Sequence, residues 1–183
     1  MASPLVYLRY NRNMTVFPPL TDDQLVSELW ARDVRFLMGE QLTPKPLLEP
    51  AHLIASLAES GDARVRLSLI PLFLRHPEFA SEAKSADRIL ALQTAKLVLR
   101  FFYTAAVLLQ RKNVERLEKI FGQQTHIPDL FSHKLGITLQ EKPDQALAQL
   151  AEHHQILSGR FINWLATYEH GAERLIKHVE KFK

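Results

Sequence analysis

From Asp87 to Phe121 the chain reads DRILALQTAKLVLRFFYTAAVLLQRKNVERLEKIF, with neither glycine nor proline. At about 100° per residue, Leu90, Leu97, Val98, Phe101, Phe102, Ala105, Leu108 and Leu109 point in most directions around a helical wheel. Only a narrow arc stays polar: Gln93, Lys96, Arg100, Thr104 and Arg111, with Tyr103 and Val107 among them. The pattern predicts one long central helix over about 87–121, buried on every side but one.

On either side of this stretch, helices are marked by their ends. Thr21 with Asp22, Asp23 and Gln24 forms a capping-box start, and a helix with Leu25, Leu29, Trp30 and Leu37 on its apolar face is expected to run to about Met38 and stop at Gly39. The proline-rich GEQLTPKPLLEP then serves as a rigid connector. Pro50 opens a short helix closed by Gly61, and Asp62 caps a second one that Pro71 should kink. After the central helix, Gly122 begins a loop with a brief helix at PDLFSHKLG. Pro143 starts a helix with the seam Leu147, Leu150, His154 and Leu157, ending near Gly159. A last helix repeats Phe161, Trp164, Leu165, Tyr168, Ala172, Leu175, Ile176 and Val179 at three-and-four spacing. Residues 5–17 hold two short β-prone runs around Asn11–Asn13, so residues 1–20 are read as an N-terminal hairpin or extended arm, and 21–183 as a single helical domain. The expected fold is all-α: an irregular bundle of about seven helices around the central one.

Within that bundle, the helix pair from about Glu49 to His76 resembles one HEAT-type repeat in Asp62, Val65 and Arg66, which match the start of that repeat's second helix. The unit occurs once, and a solenoid needs several stacked copies to bury its faces, so the chain as a whole is not assigned to that family.

Composition narrows the classes of function. A chain of 183 residues with 46% hydrophobic and 23% charged residues can bury a core without disulfides or metals. Cysteine is absent, which excludes a disulfide framework, a thiolate metal site and a thiol nucleophile. No apolar run reaches the roughly 20 residues of a membrane span. MASPLVYLRYNRN lacks the layout of a secretory signal, so a cytoplasmic location is expected. The net charge of +3 is uneven: residues 61–121 carry eleven Lys/Arg against six Asp/Glu, while residues 1–60 carry five against seven. That basic middle third is the feature that brings nucleic acid into consideration.

Candidate chemistry is sparse. There is no HExxH and no Gly-x-Ser-x-Gly, and the six glycines stand singly, so no catalytic residue and no cofactor is assigned. A three-ligand metal set of His154, His170 and Glu173 would require the last two helices to bring those faces together. Lys96, Arg100 and Arg111 project from the polar arc as a candidate anion or nucleic-acid surface, against which stands a simple ion pair of Arg100 with a neighbouring carboxylate. Trp164 and Tyr168 are the candidate partner-binding residues, against which stands plain core packing. By elimination of catalytic motifs, the expected function is that of a non-enzymatic helical interaction protein: an adaptor, regulator or small subunit with a protein partner, self-association included and no membrane. The alternatives are a nucleic-acid-associated protein using the basic segment, and an enzyme whose site assembles only in the fold.

Overall fold

The computed structural model describes residues 20–139 and 142–182, and throughout them the ordered elements are helices, with no strand. The hairpin or arm expected for residues 1–20 falls, but for Leu20, outside the described residues. In chain order the α-helices are α1 (Asp22–Trp30), α2 (Pro50–Glu59), α3 (Ala63–Leu67), α4 (Leu69–Arg75), α5 (Ala80–Ile89), α6 (Gln93–Lys112), α7 (Val114–Phe121), α8 (Pro143–Ser158) and α9 (Trp164–Phe182). Short 3-10 turns lie at Pro77–Phe79 and His133–Leu135. One hydrophobic cluster runs without a break from Leu25 in α1 to Ile176 in α9.

At the centre lies α6, against which α2, α4, α5, α8 and α9 all pack. The single helix expected over 87–121 is divided. Leu90 (φ −60°, ψ 124°) and Leu92 (φ −83°, ψ 129°) are extended, so the chain turns a corner between α5 and α6, and Leu90 is drawn into the core at 1% exposure. Asn113 breaks the path again before α7, its side-chain amide donating to the Leu109 carbonyl oxygen at 3.0 Å. The predicted wet arc is also corrected, because Tyr103, Thr104 and Val107 are fully buried.

Through its buried middle, Phe101 to Gln110, α6 has to satisfy its polar groups inside the protein, and of these only the Thr104 hydroxyl is left without a hydrogen-bond partner among the described residues. Arg100 supplies a bidentate pair to Asp87 of α5, with Nε to Oδ1 at 2.8 Å and Nη2 to Oδ2 at 3.0 Å, and Lys134 adds a third contact at 3.3 Å. Burial opposes ionisation of Asp87, but hydrogen bonds and charge from Arg100 and then Lys134 outweigh it and hold its carboxyl below the usual range. Tyr103 donates its hydroxyl to the Pro128 carbonyl oxygen at 2.8 Å. Gln110 works in both directions, donating to the Thr125 carbonyl oxygen at 2.9 Å and accepting from the Ile127 amide at 2.7 Å. These bonds lay the non-helical stretch after α7 along α6.

Several ends fall where the sequence places them. Thr21 and Gln24 form a reciprocal capping box, Pro50 opens α2, Asp62 Oδ1 accepts from the Arg64 and Val65 amides, and α8 runs from Pro143 to a left-handed Gly159 (φ 64°). The first helix is shorter than expected. It ends at Trp30, eight residues before Met38, because Asp33 takes a left-handed conformation (φ 59°) and Val34 donates back to the Leu29 carbonyl oxygen at 2.9 Å, which sends Val34 and Phe36 into the core. The second helix of the pair is interrupted at Ser68, between α3 and α4, three residues before Pro71. Pro71 has no amide hydrogen to continue the ladder across that point. The proline-rich connector is anchored by buried Glu28, whose carboxylate accepts from the Leu47 and Leu48 amides at 2.8 and 3.1 Å and pairs with Arg32 at 2.5 Å.

Because both partners of the Asp87–Arg100 pair are at most 14% exposed at the side chain, removing one leaves a charge stranded in the core. Asp87→Ala is expected to lower stability by about 3 kcal/mol in urea denaturation at pH 7, with part of the loss recovered in Asp87→Ala/Arg100→Leu.

Candidate functional site: the elbow between α8 and α9

The turn from α8 into α9 is built by local rules. Gly159 allows the left-handed reversal, and Ser158 Oγ accepts from the Arg160 amide at 3.3 Å. Asn163 starts α9 by accepting from the Ala166 amide through Oδ1 at 3.0 Å, while its carbonyl oxygen takes the Thr167 amide and hydroxyl. What the turn carries is unusual for a loop. Ile156 is 68% exposed, Leu157 52%, Phe161 95% and Ile162 39%. Ile156, Phe161 and Ile162, together with Trp164 and Leu165, border an open depression of about 590 Å³. A single exposed leucine would call for no explanation, but a contiguous set of large apolar side chains beside a groove does.

Beneath the elbow lies a stack of rings that fixes its position. The buried imidazole of His154 lies between Phe101 of α6, 4.1 Å away and parallel within 4°, and Trp164 of α9, 3.6 Å away at 18°. Phe102 meets His154 edge-on at 5.9 Å. His154 Nδ1 shares a hydrogen bond with the hydroxyl of fully buried Tyr168 at 2.7 Å. Burial pushes the His154 pKa down to about 3 and the Tyr168 pKa well up, so both groups are neutral across the physiological range. Three helices are thereby tied at one point directly under the exposed turn. Trp164 Nε1 is buried and makes no hydrogen bond with the described residues.

The residues singled out in the sequence fall in different places. Tyr168 is a core residue, and Trp164 is half-buried between the stack and the groove. Phe161 and Leu157, expected on apolar seams, face outward instead, since α9 begins only at Trp164 and the end of α8 extends past the core. His154, His170 and Glu173 do not come together: His154 is enclosed by rings, His170 is exposed, and Glu173 pairs with Arg116 and, at 3.6 Å, with Lys177. Among the described residues no group of three His, Asp or Glu side chains is placed to hold a metal ion.

Of the basic arc, Arg100 is taken up by Asp87, while Lys96 lies one turn before it and Arg111 three turns after it. The basic residues around the arc are paired across the fold: Lys112 with Asp144 at 2.5 Å and Glu169 at 2.8 Å, Arg116 with Glu173 and Glu180, and Arg75 with Asp33, in the turn after α1, at 3.2 Å. No helix among the described residues is long and apolar enough to cross a membrane. Compared with protein-family models, with curated proteins and with solved structures, the chain matches none.

Acidification tests the neutral imidazole. The unfolded chain protonates His154 near 6.5 and the folded chain near 3, so below about pH 6.5 the unfolded state binds the extra proton and stability falls. Between pH 7.5 and pH 5 this one group is expected to cost about 2 kcal/mol. Urea denaturation of the wild type and of His154→Phe at both pH values should show the variant losing less by that amount. Equal losses would contradict a neutral buried ring.

Proposed function

We propose that this chain acts by protein–protein contact, as an adaptor, regulator or small subunit, and that the elbow between α8 and α9 is its contact surface. The observation that carries the reading is the cluster of Ile156 and Leu157 at the end of α8 with Phe161 and Ile162 on the turn after it, exposed together above the ring stack that ties these elements in place. A preformed surface loses little conformational freedom on binding, and large apolar side chains with an aromatic at the centre are what such contacts favour. The partner-binding part of Trp164 is then to form the wall of the groove, while Tyr168 supports it from below. The alternative, contact with nucleic acid through the basic middle third, has less support, since Arg75, Arg100, Lys112 and Arg116 are each committed to carboxylates on other elements.

Phe161→Asp separates a contact role from a structural one. A side chain 95% exposed contributes little to the fold, so stability is expected to change by no more than about 0.5 kcal/mol. A photoreactive phenylalanine analogue placed at Phe161 in the producing cell should give discrete protein adducts that disappear with Ile156→Asp and do not form from the same analogue at exposed Lys177. Adducts that are absent at 161, or the same from both positions, would remove the elbow from consideration as the contact surface.

A further inference from the structure

The elbow has a charge pattern that its apolar centre does not explain. Glu152, Ile156 and Arg160 follow one another at intervals of four residues and are all exposed. Glu152 and Ile156 therefore lie on one ridge of α8, with Arg160 just past its end. Neither Glu152 nor Arg160 forms an ion pair among the described residues. One of the charges near Arg160 is another cation, Arg66, which has Asp62 close to it. Arg66, hydrogen-bonded to the Ser60 and Gly61 carbonyl oxygens, has its pKa lowered by burial and then by the nearby charge of Arg160. An acid is missing from the basic end of this ridge, and a base from its acidic end.

We propose that the occupant of the elbow is a second copy of this chain, related by a two-fold axis that crosses α8 at Ile156. The assignment rests on the contact reading given above and names its partner. An axis at Ile156 runs the two α8 helices antiparallel and carries the Glu152 side of each copy toward the other's helix end, where Arg160 follows the reversal at Gly159. One patch is then its own complement, as an isologous interface requires. The same axis brings Phe161 of each copy toward small, half-buried Ala151 of the other, which borders the groove. Apolar residues occupy the middle and charges the rim, the usual layout of such contacts.

Sedimentation equilibrium on the full chain from about 1 to 100 µM, a span that brackets a micromolar dissociation constant, should show a concentration-dependent dimer. Glu152→Arg and Arg160→Glu should each weaken it at least about tenfold, the size of effect expected when like charges replace a pair. Their double variant should return to within about threefold of the wild type. The most direct result is a mixture. Glu152→Arg carries two positive rims and Arg160→Glu two negative ones, so a one-to-one mixture should associate more tightly than either alone, which only a contact between these two positions produces. Circular dichroism melts of each variant establish that the fold is intact.

A wild type monomeric over the whole range, or a dimer indifferent to the exchange of charges, overturns the proposal. A monomer that still gives adducts at position 161 to a different protein removes the second copy and leaves the contact reading standing. Adducts within one chain, mapping to residues 1–19, remove the second copy as well. Loss of both the dimer and the adducts ends both readings.

Discussion

Burying α6 on nearly every side is the constraint from which most of this structure follows. A helix of 20 residues, about 30 Å long, has no wet face through its middle, so the polar groups it carries cannot be left to solvent. Arg100, Tyr103 and Gln110 each reach out and fix something else, while the Thr104 hydroxyl finds no hydrogen-bond partner among the described residues. Arg100 draws α5 back across the corner at Leu90–Leu92, Tyr103 holds the Pro128 backbone, and Gln110 holds Thr125 and Ile127. The polar residues of α6 are therefore the joints of the structure, while its apolar residues supply the cohesion.

The surface that stands out depends on the same helix at one remove. Phe101 of α6 is the floor on which His154 lies, and His154 is the floor for Trp164. Exposed apolar side chains on a loose loop would fold onto the nearest groove or attract indiscriminate contacts. On this elbow they are presented from the meeting point of three helices, and the neutrality of His154 keeps that point free of a titrating charge at ordinary pH.

Much of the helical layout was legible because helix ends are local. Thr21, Pro50, Asp62, Pro143 and Gly159 act through their own backbone neighbours and do the same in any fold. The division of the central helix was not legible, because nothing between Leu90 and Leu92 disfavours helix. The corner is imposed by packing Leu90 inward and by the pull of Arg100 on an acid thirteen residues earlier. Asp33 concealed the end of α1 for a similar reason, being an acceptable helix residue that here turns left-handed so that Val34 and Phe36 enter the core. Periodicity also misled at the elbow. Phe161 continues the spacing of α9 in sequence, but it lies before the first helical residue, so its direction is set by the turn. The available signal was the pair of bulky apolar residues Phe161 and Ile162, one residue past a helix-ending glycine, where a turn ordinarily carries polar ones.

The double hydrogen bond of Gln110 has a consequence for how the chain tolerates changes of length. Loops usually absorb insertions and deletions because their backbone answers to water. Between Thr125 and Pro128 the backbone answers to α6, with carbonyl, amide and carbonyl engaged in turn by Gln110 and Tyr103. Adding or removing one residue there would put the wrong backbone group against each of these side chains, and no shift of an external loop would restore the match. A stretch without regular secondary structure is thus as intolerant of changes in length as the helix it lies on.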